Sequence, residues 1–128
     1  EQIKSTLSKL RGIIIPGGVG SSGIEGKIKA IKYCRENNIP FLGLCYGMQL
    51  AIIEFARNIC KLNGANTTEV NKETKYPVID ILPEQNTLSE IVGTMRLGSY
   101  KAILKEGTKI REIYSDKGEI YERHRHRY

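Results

Sequence analysis

Apolar positions change period repeatedly along the first half of this chain. Ile3, Leu7 and Leu10 recur at i, i+4 and i+7, which predicts a short amphipathic helix, with Gly12 as its stop. Ile13-Ile14-Ile15 is an unbroken β-branched run and predicts a buried parallel strand. Pro16-Gly17-Gly18-Val19-Gly20-Ser21-Ser22-Gly23 is a glycine-rich loop. Ile24 to about Asn37 reads as a helix with Ile24, Ile28 and Ile31 on one face, and Pro40 excludes its continuation. Phe41 to Leu44 is the next strand. Met48 to about Lys61 is a helix apolar over most of its circumference, so it is expected to be buried. Leu62 to Thr74 is polar, rich in Asn and Thr, and reads as a loop.

The second half is less periodic. Tyr76 to Leu82 is strand-like, and Pro83-Glu84-Gln85-Asn86 breaks it; Leu88 to Gly93 takes no assignment. Met95 to Leu104 alternates and predicts a strand, followed by a turn at Glu106-Gly107. Ile110 to Tyr114 reads as a helical turn, Asp116-Lys117-Gly118 as another turn, and Glu119 to Tyr128 as a strand. On that strand His124 and His126 share a face with Ile120, Glu122 and Tyr128, while Arg123, Arg125 and Arg127 take the other. The early strand, helix, strand, helix series predicts an α/β fold with parallel neighbouring strands and a right-handed crossover.

That series places one stretch in a special position. Gly43-Leu44-Cys45-Tyr46-Gly47-Met48-Gln49 lies between the second strand and the buried helix, with glycines two before and two after a single thiol. This is the nucleophile-elbow pattern with Cys in place of Ser. A thiol there stands at the amino end of a helix, whose dipole favours the thiolate. The other reading is a structural Cys beside turn glycines. In a βαβ unit the carboxyl ends of both strands lie on one edge, so Gly17-Gly18 should emerge beside Cys45. Backbone N–H groups of the glycine loop and of Tyr46 would then form an oxyanion hole. The loop lacks both G-x-x-x-x-G-K-[ST] and G-x-G-x-x-G, which leaves the nucleotide-cradle reading unsupported.

Length, composition and charge narrow the classes. At 128 residues with 40% hydrophobic and 27% charged content, one soluble globular domain is expected. No apolar run of 18 residues exists, which argues against a membrane span, and Glu1-Gln2-Ile3-Lys4 does not resemble a signal peptide. The expected compartment is the cytoplasm. Three cysteines, Cys34, Cys45 and Cys60, with no C-x-x-C argue against a disulfide framework and a zinc site. Cys34 and Cys60 fall in helical stretches and read as inert. Net charge is +6, and Arg123, Arg125 and Arg127 carry much of that excess, so no nucleic-acid partner is expected. A Cys nucleophile most often uses a His base. Only His124 and His126 are present, and spacing selects neither over an exposed basic edge.

Five stretches in this order resemble a known family. They are Pro16-Gly17-Gly18-Val19-Gly20, the Gly43 to Gln49 elbow, Ala65-Asn66-Thr67-Thr68-Glu69, Gly93-Thr94-Met95-Arg96-Leu97-Gly98 and Glu122-Arg123-His124-Arg125-His126-Arg127-Tyr128. Together they look like the class I, triad-type glutamine amidotransferase domain of the CTP synthases. The resemblance runs from about Gly12 to Tyr128. It implies a flavodoxin-like three-layer α/β sandwich with a central, mostly parallel sheet. It implies that Cys45 attacks the side-chain amide of L-glutamine, forming a γ-glutamyl thioester and releasing ammonia. Gly18 and Tyr46 would supply the oxyanion-hole N–H groups. Gly18, Tyr46, Gly47, Met48, Gln49, Glu69 and Arg127 would hold glutamine. A carboxylate such as Glu69 suits the α-ammonium group, and a guanidinium such as Arg127 suits the α-carboxylate. No cofactor or metal is implied for residues 1–128. ATP and magnesium belong to a separate synthetase domain, which uses the ammonia to convert UTP to CTP, and the full-length enzyme would be a homotetramer.

The chain departs from the family pattern in three places. Val19 stands where Phe is usual and Tyr46 where Leu is usual, both tolerable if the backbone does the work. Family members also carry the triad base in a later His-Pro-Glu, and no such stretch occurs here. Residues 1–128 are therefore expected to be part of an amidotransferase domain, with little or no glutaminase activity by themselves. The competing expectation is an amidotransferase-like interaction or regulatory module that has lost catalysis.

Overall fold

The core is built where two helices cover one face of a parallel strand pair. The computed structural model describes residues 2–81 and 96–128. They form two compact units, Glu1–Asp80 and Ile81–Tyr128. The first contains α1 (Gln2–Leu7), β1 (Ile13–Ile15), α2 (Ile24–Glu36), β2 (Phe41–Gly43), α3 (Tyr46–Asn58), β3 (Asn66–Thr67) and β4 (Pro77–Ile79). β1 pairs in parallel with β2, and β3 in parallel with β4. The expected βαβα series and parallel pairing are present.

Ile15, Ile24, Ile28, Ile31, Tyr46, Leu50 and Ile53 form the buried cluster, and Ile13 and Phe41 pack against it. The α2 stripe is the one its spacing predicted. Full burial of a residue such as Leu50 or Ile53 stabilises the fold by about 2 kcal/mol. Two burial expectations need correction. Ile14 was expected inside a buried strand and is 62% exposed. Side chains alternate along a strand, so Ile13 and Ile15 face the helices while Ile14 faces the opposite side. α3, apolar over most of its circumference, was expected to be buried. Instead Met48, Ile52, Phe55 and Ile59 form an exposed stripe at helical spacing, opposite Leu50 and Ile53.

Several boundaries also shift. α1 stops at Leu7, and Leu10 lies beyond it. α3 starts at Tyr46 and ends at Asn58, which leaves Cys60 exposed past the helix rather than inside it. The expected loop after α3 contains β3, because Thr67 is fully buried and Thr68 N–H donates to the Ile79 carbonyl at 3.0 Å.

The second unit is an antiparallel ribbon of β5 (Arg96–Ile103) and β6 (Glu119–His126), with α4 (Lys109–Ile113) in the connection. Its strands, helical turn and turns fall where alternation placed them. Along β6, Ile120, His124 and His126 are half-buried while Arg123 and Arg125 are exposed, as the alternation predicted; Glu122, expected on the histidine face, is exposed. The breaker at 83–86, the unassigned 88–93 and the first three residues of the Gly93 to Gly98 motif lie outside the described residues.

Candidate active site

The elbow forms because the parallel pairing of β1 and β2 continues one residue past the strands. Leu44 N–H donates to the Ile15 carbonyl at 2.9 Å, and Gly47 N–H then donates to the Leu44 carbonyl at 2.9 Å, closing the turn. Between them Cys45 adopts φ 53° and ψ −109°, a conformation costly for a residue with a side chain. Two glycines make it possible. A methyl group at Gly43 would lie 2.6 Å from the Met48 backbone nitrogen, and one at Gly47 would overlap the Ile15 carbonyl oxygen. The G-x-C-x-G spacing is therefore a packing requirement of the turn. The Cys45 thiol is exposed, and its carbonyl accepts from Gln49 N–H at 3.2 Å in the first turn of α3.

The glycine loop abuts this thiol as the strand order required. A methyl at Gly17 would sit 3.4 Å from Cys45 Cβ and 3.8 Å from its Sγ. Gly18 lies against the Tyr46 ring, with 3.6 Å from its Cβ direction to Cδ1. Tyr46 is the first residue of α3, where backbone N–H groups have no partner within the helix.

Glu69 reaches the same loop from the other side. The Ala65 to Glu69 stretch is held by its own polar groups. Asn66 Oδ1 accepts from Thr67 N–H at 2.9 Å, and Thr67 Oγ1 accepts from Glu69 N–H at 3.2 Å. Arg57 of α3 donates to the Ala65 carbonyl at 2.6 Å and to Glu25 of α2 at 2.9 Å. The Glu69 carboxylate, so placed, accepts from Gly20 N–H at 3.0 Å. The Tyr46 hydroxyl donates to the Gly20 carbonyl at 2.5 Å. Burial, and then the Glu69 charge, push the Tyr46 hydroxyl pKa up, which keeps it a donor.

The first unit thus brings together Gly18, Cys45, Tyr46, Gly47 and Glu69, with Gln49 buried in the same helical turn and Met48 exposed beside it. Arg127 belongs to the second unit, one residue beyond β6, and is exposed. His124 and His126 face each other there, Nδ1 to Nδ1 at 3.3 Å. Burial pushes the Cys34 thiol pKa up, consistent with an inert role. Among the described residues no cluster of three or more His, Cys, Asp or Glu could hold a metal ion.

Sequence reasoning missed two features. One is the Tyr46 hydroxyl, since the expectation there concerned only backbone. The other is Glu54, 1% exposed in the middle of α3. Arg35 of α2 meets it with Nε at 3.0 and 3.1 Å and Nη2 at 2.8 Å, and Asn58 adds a bond at 3.1 Å. A lone acid in an apolar helix was the available signal; its partner, 19 residues earlier, carried none.

Comparison with known proteins follows the same lines. The model for glutamine amidotransferase class-I matches residues 1–128. The CTP synthase of Methanocaldococcus jannaschii is 63% identical over 121 residues, covering 94% of this chain and 22% of its own length. That of Bacillus subtilis is 59% identical over 117 residues, covering 91% of this chain and 22% of its own length. The chain thus spans under a quarter of the length of these relatives. Among solved structures, the Trypanosoma brucei CTPS glutaminase domain with bound acivicin superimposes with a TM-score of 0.89 at 37% identity. That match covers 99% of this chain and 48% of the other. The elbow, its glycine loop and the parallel pairs are those of an α/β amidotransferase fold, and the chain belongs to the class-I glutamine amidotransferases.

Proposed function

We propose that this chain is the nucleophile-bearing part of the glutamine amidotransferase domain of a CTP synthase. The observation that carries the reading is the strained Cys45 elbow with Gly17 packed against its thiol. The Cys45 thiolate attacks the side-chain carbonyl carbon of L-glutamine. The carbonyl oxygen takes up the negative charge and is held by the N–H groups of Gly18 and Tyr46. Collapse of this intermediate breaks the C–N bond. The nitrogen leaves as ammonia after gaining a proton, and the γ-glutamyl group stays on sulfur as a thioester. Water then attacks the thioester, releasing glutamate and restoring the thiol. The proton transfers are assigned to a base outside residues 1–128, as the family's His-Pro-Glu pattern implies.

Gly47, Met48 and Gln49 line the glutamine side, Glu69 takes the α-ammonium group and Arg127 the α-carboxylate. Ammonia passes to a synthetase domain of the same enzyme, where ATP-dependent activation of UTP yields CTP. The full-length enzyme is a cytoplasmic homotetramer on this reading. No helix among the described residues is long and apolar enough to cross a membrane.

The test is glutamine hydrolysis by the full-length protein and its Cys45→Ala variant. Removing the nucleophile should lower the rate by about a thousandfold or more. Hydrolysis by Cys45→Ala within tenfold of the unaltered enzyme would contradict the reading.

A further inference from the structure

Gly20 is gripped from two sides. Its N–H donates to Glu69 at 3.0 Å, and its carbonyl accepts from the Tyr46 hydroxyl at 2.5 Å. Gly20 itself has φ 75°, a left-handed conformation in which its N–H and carbonyl reach different partners. Tyr46 is 2% exposed, and its ring also lies against Gly18, with the Lys27 ammonium 5.9 Å from the ring centroid. The loop from Pro16 to Gly23 otherwise has little to fix it, because Gly17, Gly18 and Val19 are all exposed. The residue beside the nucleophile therefore ties the loop that carries one oxyanion donor to the helix that carries the other.

We propose that the Tyr46 side chain is a positioning residue: its hydroxyl, acting with Glu69 through Gly20, holds the Gly18 N–H at the oxyanion position opposite the Tyr46 N–H. This rests on the amidotransferase reading above and adds a role for a side chain where only backbone was needed. An oxyanion donor is effective when it is preorganised, so loosening the loop weakens binding of the transition state more than binding of the substrate. Tyr46→Phe keeps the ring and its packing and removes only the hydroxyl.

The experiment compares the full-length enzyme with Tyr46→Phe and Cys45→Ala. For Tyr46→Phe, kcat for glutamine hydrolysis should fall about tenfold, the scale of one lost hydrogen bond, with KM within twofold. Alkylation of Cys45 by iodoacetamide should stay within twofold of the unaltered rate, because the thiol itself is unchanged. Hydrogen exchange over residues 16–23 should quicken at least threefold, a readout that holds even if turnover is limited elsewhere. Unchanged kcat together with unchanged loop exchange would overturn the proposal. So would a fall in kcat matched by an equal fall in alkylation, since the hydroxyl would then act on the thiol. Should Tyr46→Phe lower the melting temperature beyond use, exchange at the Gly20 amide of the unaltered protein decides. Protection supports the grip, and exchange at the rate of an open loop refutes it. Hydrolysis retained by Cys45→Ala would instead remove the amidotransferase reading itself.

Discussion

The two units hold their candidate site residues by different means. In Glu1–Asp80, the elbow, the glycine loop and Glu69 are each fixed by tertiary contacts that start from a buried core of Ile15, Ile28, Leu50 and Ile53. In Ile81–Tyr128, the only buried hydrophobic residue among those described is Leu104, at 8% exposed. The ribbon is held by its ladder and by surface pairs such as Tyr114 to Glu122 at 2.6 Å and the ion pair of Lys101 with Glu119. Two-stranded ribbons are marginal without further packing. Cys45, Gly18 and Tyr46, the proposed nucleophile and oxyanion donors, therefore sit on a packed framework, whereas Arg127 sits just beyond the end of a ribbon strand. On the proposed reading, the chemistry that depends on sub-ångström placement falls on the first kind of support.

Substitutions should separate the two regimes, and the largest effect belongs at the elbow. Gly47→Ala, inside a helix, would ordinarily gain about 1 kcal/mol from propensity. Here the new methyl meets the Ile15 carbonyl, so β1 must move, and a loss of more than about 3 kcal/mol is expected in denaturant unfolding. A stabilised Gly47→Ala would break the account of the turn. Next comes Arg35→Met, which strands the Glu54 carboxylate inside the fold. Uncompensated buried charge of this kind costs about 3 kcal/mol, and adding Glu54→Met should recover most of the loss. Failure of the double variant to recover would mean that the pair is not the reason.

Glu69→Gln removes a charge from the proposed ammonium site and weakens the grip on Gly20. The KM for glutamine in the full-length enzyme should rise at least about tenfold, the scale of a charge-assisted bond. An unchanged KM would remove Glu69 from the substrate site. The smallest effect belongs to the ribbon. Ile103 is 72% exposed, so Ile103→Ala should cost less than about 1 kcal/mol, while Ile53→Ala should cost about 3. Equal costs would erase the difference between the units.

Much of this was legible because local chemistry and tertiary packing asked for the same residues. The Ile24, Ile28, Ile31 stripe, the alternation in the last strand, and the two glycines around Cys45 each follow from a fixed period or a steric demand. Burial was less legible. Apolar content predicted that Ile14 and α3 would be covered, but coverage depends on what packs on each face, which no local pattern records. The Arg35 to Glu54 pair and the Tyr46 to Gly20 bond were hidden for a related reason. Each joins residues far apart in sequence whose identities, taken singly, fit an exposed or merely tolerated position. Tyr46 in particular read as a neutral change, because its hydroxyl has meaning only once the loop is folded back upon it.

The central claim is that Cys45 forms a covalent bond to the substrate. The most direct measurement is acid quenching of the full-length protein during turnover with L-glutamine, followed by mass spectrometry of its peptides. A γ-glutamyl group on the peptide containing Cys45, absent from those containing Cys34 and Cys60, is the expected result. A glutamyl group on either other cysteine, or turnover with no labelled cysteine under conditions that trap thioesters, would contradict it.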